Sequence, residues 1–203
     1  MKLATHALSL AILGTVFYLS ACSDGGTTHK NAEARADSAD SKKTAEEHNN
    51  AKFDKVGEKD AKYVVDAYEA GLFEIRMADT AKEYATTKEG KSLAEMMYTG
   101  HAKLNEELRN LAKKKQISLP DDVTSAQSDK LKNIRSERRI NFDKKYASAM
   151  VDGHKDAINL FEKASKECTD GDLANWFSAA LPDLRKHLDA AMNAEEEIKK
   201  MKR

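Results

Sequence analysis

Three histidines carry most of the chemistry legible in this sequence. Met97-Tyr98-Thr99-Gly100-His101 and Met150-Val151-Asp152-Gly153-His154 share a Met-x-x-Gly-His frame, and His187 stands in the last apolar run. Each keeps three-and-four spacing with large apolar residues, which places it on the buried stripe of an amphipathic helix. Glu74 joins them. Its helical neighbours Ala67, Gly71, Ala78 and Ala81 are all small, so the carboxylate is expected to point between helices rather than at water. Imidazole and carboxylate are borderline ligands suited to zinc, copper, iron or nickel, and four of them complete a tetrahedral shell. A second reading needs no ion: Glu74 accepts hydrogen bonds from one or two imidazoles and water satisfies the rest. In either case the groups must be paired, because bare burial costs several kcal/mol.

Other chemistry is sparse. The chain has no Gly-rich phosphate loop, no CxxC pair, no G-x-S-x-G elbow and no HExxH. A di-iron carboxylate centre needs Glu-x-x-His on two helices, but Tyr98, Val151 and Leu184 stand three residues before the histidines. Met96, Met97, Met150 and Met192 read as core filler rather than as copper(I) ligands. No catalytic residue is identified, and the expected role is non-enzymatic.

The elements that position these residues are helices. Charged residues make up 33% of 203, aromatics 6%, and there are two prolines, a balance that suits long helices better than strands. Helix one is expected from Asp60 to about Ala85, with Thr86 and Glu89 at capping-box spacing for the next. Helix two runs to about Lys115 and stops before Leu119-Pro120. A short connecting helix follows over Ser125 to Ile134. Helix three starts near Ser136, and helix four begins after the Thr169-Asp170-Gly171-Asp172 turn. Pro182 should bend helix four, which runs out in a charged tail from Glu195. The expected fold is an all-α antiparallel four-helix bundle with a longer connection between helices two and three. Counting from the two tight turns, Glu74 and His101 lie level at ~20 Å from the first, and His154 and His187, 17 and 16 residues from Gly171, lie level about the second. One glutamate and three histidines, one from each helix, are thereby expected to meet at mid-bundle.

The N-terminus supplies an address. Lys2 is followed by an uncharged apolar run, Ala7 to Leu19, too short for a span of roughly twenty residues and suited to a signal peptide. Leu19-Ser20-Ala21-Cys22 resembles a bacterial lipobox, which implies cleavage before Cys22 and acylation of its thiol. The alternative is an ordinary cleaved signal peptide, with Cys22 free to pair with Cys168. Ser23 after the cysteine implies sorting to the outer membrane, facing the periplasm, so the lipid bilayer is the first partner expected. The organisation expected is signal peptide 1–21, lipidated cysteine and flexible tether 22–58, and bundle domain with its tail 59–203. Lys+Arg and Asp+Glu are both 34, so no net charge draws the chain to nucleic acid.

Further residues carry a family likeness. Gly71 with Phe73-Glu74, Met97 to Lys103, Ile117-Ser118-Leu119-Pro120, Met150 to His154, and Leu181-Pro182-x-Leu184-x-x-His187-Leu188 resemble the bacterial domain-of-unknown-function family 4142, over about Tyr63 to Ala191. That resemblance implies an exported, ferritin-like four-helix bundle of the kind often labelled a putative outer-membrane protein. The family usually has Asp directly before the first two histidines, where this chain has Gly100 and Gly153. The function expected is a membrane-anchored binding or envelope-stress module. The alternatives are transition-metal sequestration at Glu74, His101, His154 and His187, and an envelope scaffold binding other proteins.

Overall fold

The computed structural model describes residues 41–201, all helix and connection, with no strand among them. Six helices follow in order: α1 over 41–52, α2 Lys55–Tyr84, α3 Lys88–Lys115, α4 Ser125–Arg135, α5 Ile140–Glu167 and α6 Gly171–Lys200. The helical-bundle expectation holds. Helix α2 packs on α3 and α5, α6 packs on α3 and α5, and α4 lies against α2 and α5. Two apolar clusters fill the interior at its two ends. One is built around Phe161, Phe177, Leu108 and Leu184, the other around Phe142, Tyr146, Met77 and Met97. The histidine layer lies between them. No helix of the described residues is long and apolar enough to cross a membrane.

Two buried aspartates fix the ends of the bundle. Asp143, at the start of α5, accepts from the amides of Thr86 and Thr87 and from both their hydroxyls, at 2.7 to 3.1 Å. Asp60, near the start of α2, accepts from the Thr169 amide and hydroxyl and from the Asp170 amide. Each carboxylate thus satisfies the orphan donors of a turn joining two other helix ends. Thr87 rather than Thr86 caps α3, accepting from the Gly90 amide at 3.0 Å.

Four boundaries differ from the sequence expectation. Residues 41–52, expected within the tether, are helical and docked. The Asn49 amide pairs with both backbone groups of Ser118, at 2.8 and 3.0 Å, and Ala45 is buried. Helix α2 starts at Lys55, where Asp54 caps it through the Gly57 amide. Helix α5 begins at Ile140 rather than near Ser136, because the Arg138 guanidinium donates to three carbonyls at the end of α4 and closes that helix. The charged tail is helical to Lys200, since Ala194 and Ile198 are buried among its charges. Pro182 lies inside α6 without ending it. The segments expected as signal peptide and as the first part of the tether, with Cys22, lie outside the described residues.

Candidate metal centre

Glu74 comes from α2, His101 from α3, His154 from α5 and His187 from α6, and all four are buried. The three imidazoles converge. Their ring centroids lie 5.1, 5.1 and 5.5 Å apart, and one nitrogen from each falls within 4.8 Å of the other two. The two closest nitrogens, Nε2 of His101 and of His154, are 3.1 Å apart. Donors on a tetrahedral ion with bonds of about 2.0–2.1 Å stand roughly 3.3 Å from one another, so small ring adjustments would close this set on an ion. Glu74 stands beside the group rather than within it. Its Oε2 is 2.9 Å from His101 Nε2 and its Oε1 is 3.3 Å from His154 Nδ1.

His154 Nδ1 lies 2.8 Å from the Met150 carbonyl, an oxygen that can only accept. That bond places the proton on Nδ1 and leaves the Nε2 lone pair facing the layer. A backbone carbonyl one turn back thus orients the ring. His187 Nδ1 is buried with no partner, and so is Glu74 Oε1.

Electrostatics favour a cation. Burial, then the neighbouring imidazoles, holds His187 down at about 4. Burial likewise lowers His154, although Glu74 opposes it. Burial alone would raise Glu74, but the imidazoles of His101 and His154 outweigh it and keep the carboxylate down at about 2. Burial thus disfavours charge on His154 and His187, while the carboxylate of Glu74 beside them is held in its ionised form. Buried charge of this kind calls for a compensating partner.

Two glycines make the convergence possible. A Cβ at Gly100 would lie 2.4 Å from the His187 ring, and one at Gly153 would lie 2.9 Å from Glu74 Oε1. The glycine before each repeated histidine thus admits a group from another helix against the backbone. Sequence reasoning noticed both glycines and missed this role. The signal was there: a helical Gly in the same place before two buried histidines.

Cys168 does not belong to the centre. It is a free thiol, half-buried, pushed up to about 12 by burial and the Asp60 carboxylate, which makes it a poor nucleophile and ligand.

No curated protein matches this chain, and no solved structure does either. A family model does match: that of DUF4142, described as a domain of unknown function, over residues 42–194. It takes in α2 to α5 whole, most of α6, and all four residues of the buried layer. The chain belongs to the DUF4142 family.

Proposed function

We propose that this protein is a non-enzymatic module that takes up one transition-metal ion of borderline softness, of the zinc, copper or iron kind. His101, His154 and His187 supply the nitrogens, and Glu74 Oε2 lies against the ion as its compensating charge. One observation carries the reading: three buried imidazoles present nitrogens within 4.8 Å of one another beside an ionised carboxylate. Imidazole sites suit these ions. The unpartnered His187 Nδ1 and the glycine cleared for its ring are further support, because a polar network alone leaves that nitrogen unpaired. Imidazole must be neutral to bind a metal, so affinity is expected to fall as pH falls.

Elemental analysis of protein purified without a histidine tag, after zinc, copper and iron challenge and removal of excess, is the direct test. About one equivalent is expected. His187→Ala should lower the affinity at least about a hundredfold, since losing even an outer-shell partner costs 10–100-fold. No stoichiometric metal after all three challenges would leave the layer as a hydrogen-bonded network.

The same proposal places the module on the cell envelope, held by acylated Cys22 and facing the periplasm. The apolar run Ala7 to Leu19, the small pair Ser20-Ala21 and Cys22 in that order support it. Three acyl chains would anchor it stably where one does not. Mass spectrometry of the mature N-terminus should find Cys22 lipidated, and an unmodified Cys22 would refute the anchor.

A further inference from the structure

The two oxygens of Glu74 face different surroundings. Oε2 is turned to the histidines, 2.9 Å from His101 Nε2. Oε1 is buried with no hydrogen-bond donor, because the nearest nitrogen, His154 Nδ1, spends its proton on Met150. Beside Oε1 lies a cavity of about 250 Å³ between α2 and α5, closed on one side by α4. Gly153 lines that cavity, and a methyl group there would come within 2.9 Å of Oε1. The missing side chain is therefore what leaves the oxygen open to the space.

The cavity's chemistry selects its occupant. Phe73, Met150, Leu160 and Ala70 give it apolar walls, and methionine and aromatic surfaces favour a flat ring. An apolar protein cavity of about 150 Å³ is enough for benzene, so the space takes one ring with a substituent. The polar group bordering it is the carboxyl oxygen Oε1 of Glu74, a buried acceptor with no donor. Lys130, whose Nζ lies 5.6 Å from the Phe73 ring, and Asp156 stand at the exposed side. The first disfavours a cationic guest and the second an anionic one.

We propose that this cavity binds a small neutral arene bearing one hydroxyl, a phenol, whose O–H donates to Glu74 Oε1. Such a hydrogen bond to a charged group is among the strong ones. The inference stands apart from the metal reading, because it uses Oε1, which borders the cavity 3.3 Å from the Nδ1 of His154, and not Oε2, which lies against His101.

Phenol and toluene, the same size but without the donor, are titrated into the purified full chain, treated with chelator, by ligand-observed NMR and calorimetry. Phenol is expected to bind saturably and about ten- to a hundredfold more tightly than toluene. Ala149→Leu, which fills the cavity from a position that supplies no metal ligand, should abolish phenol binding while leaving the melting temperature within a few degrees. Gly153→Ala should weaken it at least tenfold. Phenol should bind His187→Ala as it binds the parent, whether or not the metal reading holds. Equal affinity for toluene and phenol, undiminished binding in a folded Ala149→Leu chain, or a cavity occupied by water alone would each overturn the proposal.

Discussion

The two halves of the bundle share a frame but differ in chemistry. Adding 83 to a residue number carries Asp60 to Asp143, Thr86 to Thr169, and the α3 cap Thr87 to the α6 cap Asp170. The latches are reciprocal, each half's aspartate holding the other half's turn. The same shift carries Glu74 to Ala157, Gly71 to His154, His101 to Leu184 and Leu104 to His187. Each half thus contributes two members of the buried layer, and no two of them are equivalent. A di-iron bundle wants a Glu on each of two helices and Glu-x-x-His on each of the others. Here the second set of places holds Ala157, Leu184 and Leu104, which help enclose a cavity of only about 10 Å³, at most one water. A repeated scaffold has kept room for a single centre.

The first way to break this comparison is through the latches, where the largest effect is expected. Asp143 is fully buried and serves two amides and two hydroxyls; Asp60 serves two amides and one hydroxyl, beside the charge of Asp170. An unpaired buried group costs about 1–3 kcal/mol, so Asp143→Ala should lose about 3–5 kcal/mol and Asp60→Ala about 2–3 kcal/mol. Urea midpoints at constant slope measure both. Equal losses would show that the two ends are energetically interchangeable.

Helices and layer were legible in the sequence because three-and-four spacing reports a buried face and a fixed rise converts counts into heights. That is how Glu74, His101, His154 and His187 were assigned to one level. What stayed hidden had no periodic signal. Asn49 docks α1 through a backbone pair on Ser118, and an asparagine in a polar run reads as solvent-facing. Ile198 sits alone among charges, so the buried end of α6 looked like a tail. The visible Met-x-x-Gly-His repeat, 53 residues apart, is not the structural repeat of 83. It marks two helices solving one packing problem, a ring four residues after a methionine and a neighbour let in beside it.

Acid should separate the halves next. In the metal-free protein His187 and His154 are held below the 6.5 of an unfolded histidine, His187 at about 4. Between those values the unfolded chain binds more protons than the folded one. Their contribution is therefore complete above about pH 6.5 and is lost as pH falls toward about 4. Glu74, lowered from 4.5 to about 2, keeps its share until about pH 5 and adds to the fall below that. Chelator-treated protein should show falling urea midpoints from pH 6.5 to 4. His187→Leu, which installs its counterpart's residue, should flatten the fall. A profile unchanged by that substitution would mean that His187 is not held neutral.

The glycines give the smallest effects and the finest discrimination. A methyl at Gly100 meets the His187 ring at 2.4 Å, one at Gly153 meets a carboxylate oxygen at 2.9 Å, and one at Gly171 meets nothing within 4 Å. Overpacking against a ring that is itself hemmed in costs about 1–3 kcal/mol, so Gly100→Ala should destabilise by about 2 kcal/mol. It should also weaken metal binding, because the ring it displaces is a ligand. Gly153→Ala should cost less, since Glu74 can rotate a terminal oxygen away. Gly171→Ala, at the first residue of α6 with no positive φ to forbid it, should be neutral or stabilise by up to about 1 kcal/mol. Thermal melts with and without metal rank all three. If Gly100→Ala proves as mild as Gly171→Ala in both conditions, His187 has room to retreat, and the centre is looser than three converging rings require.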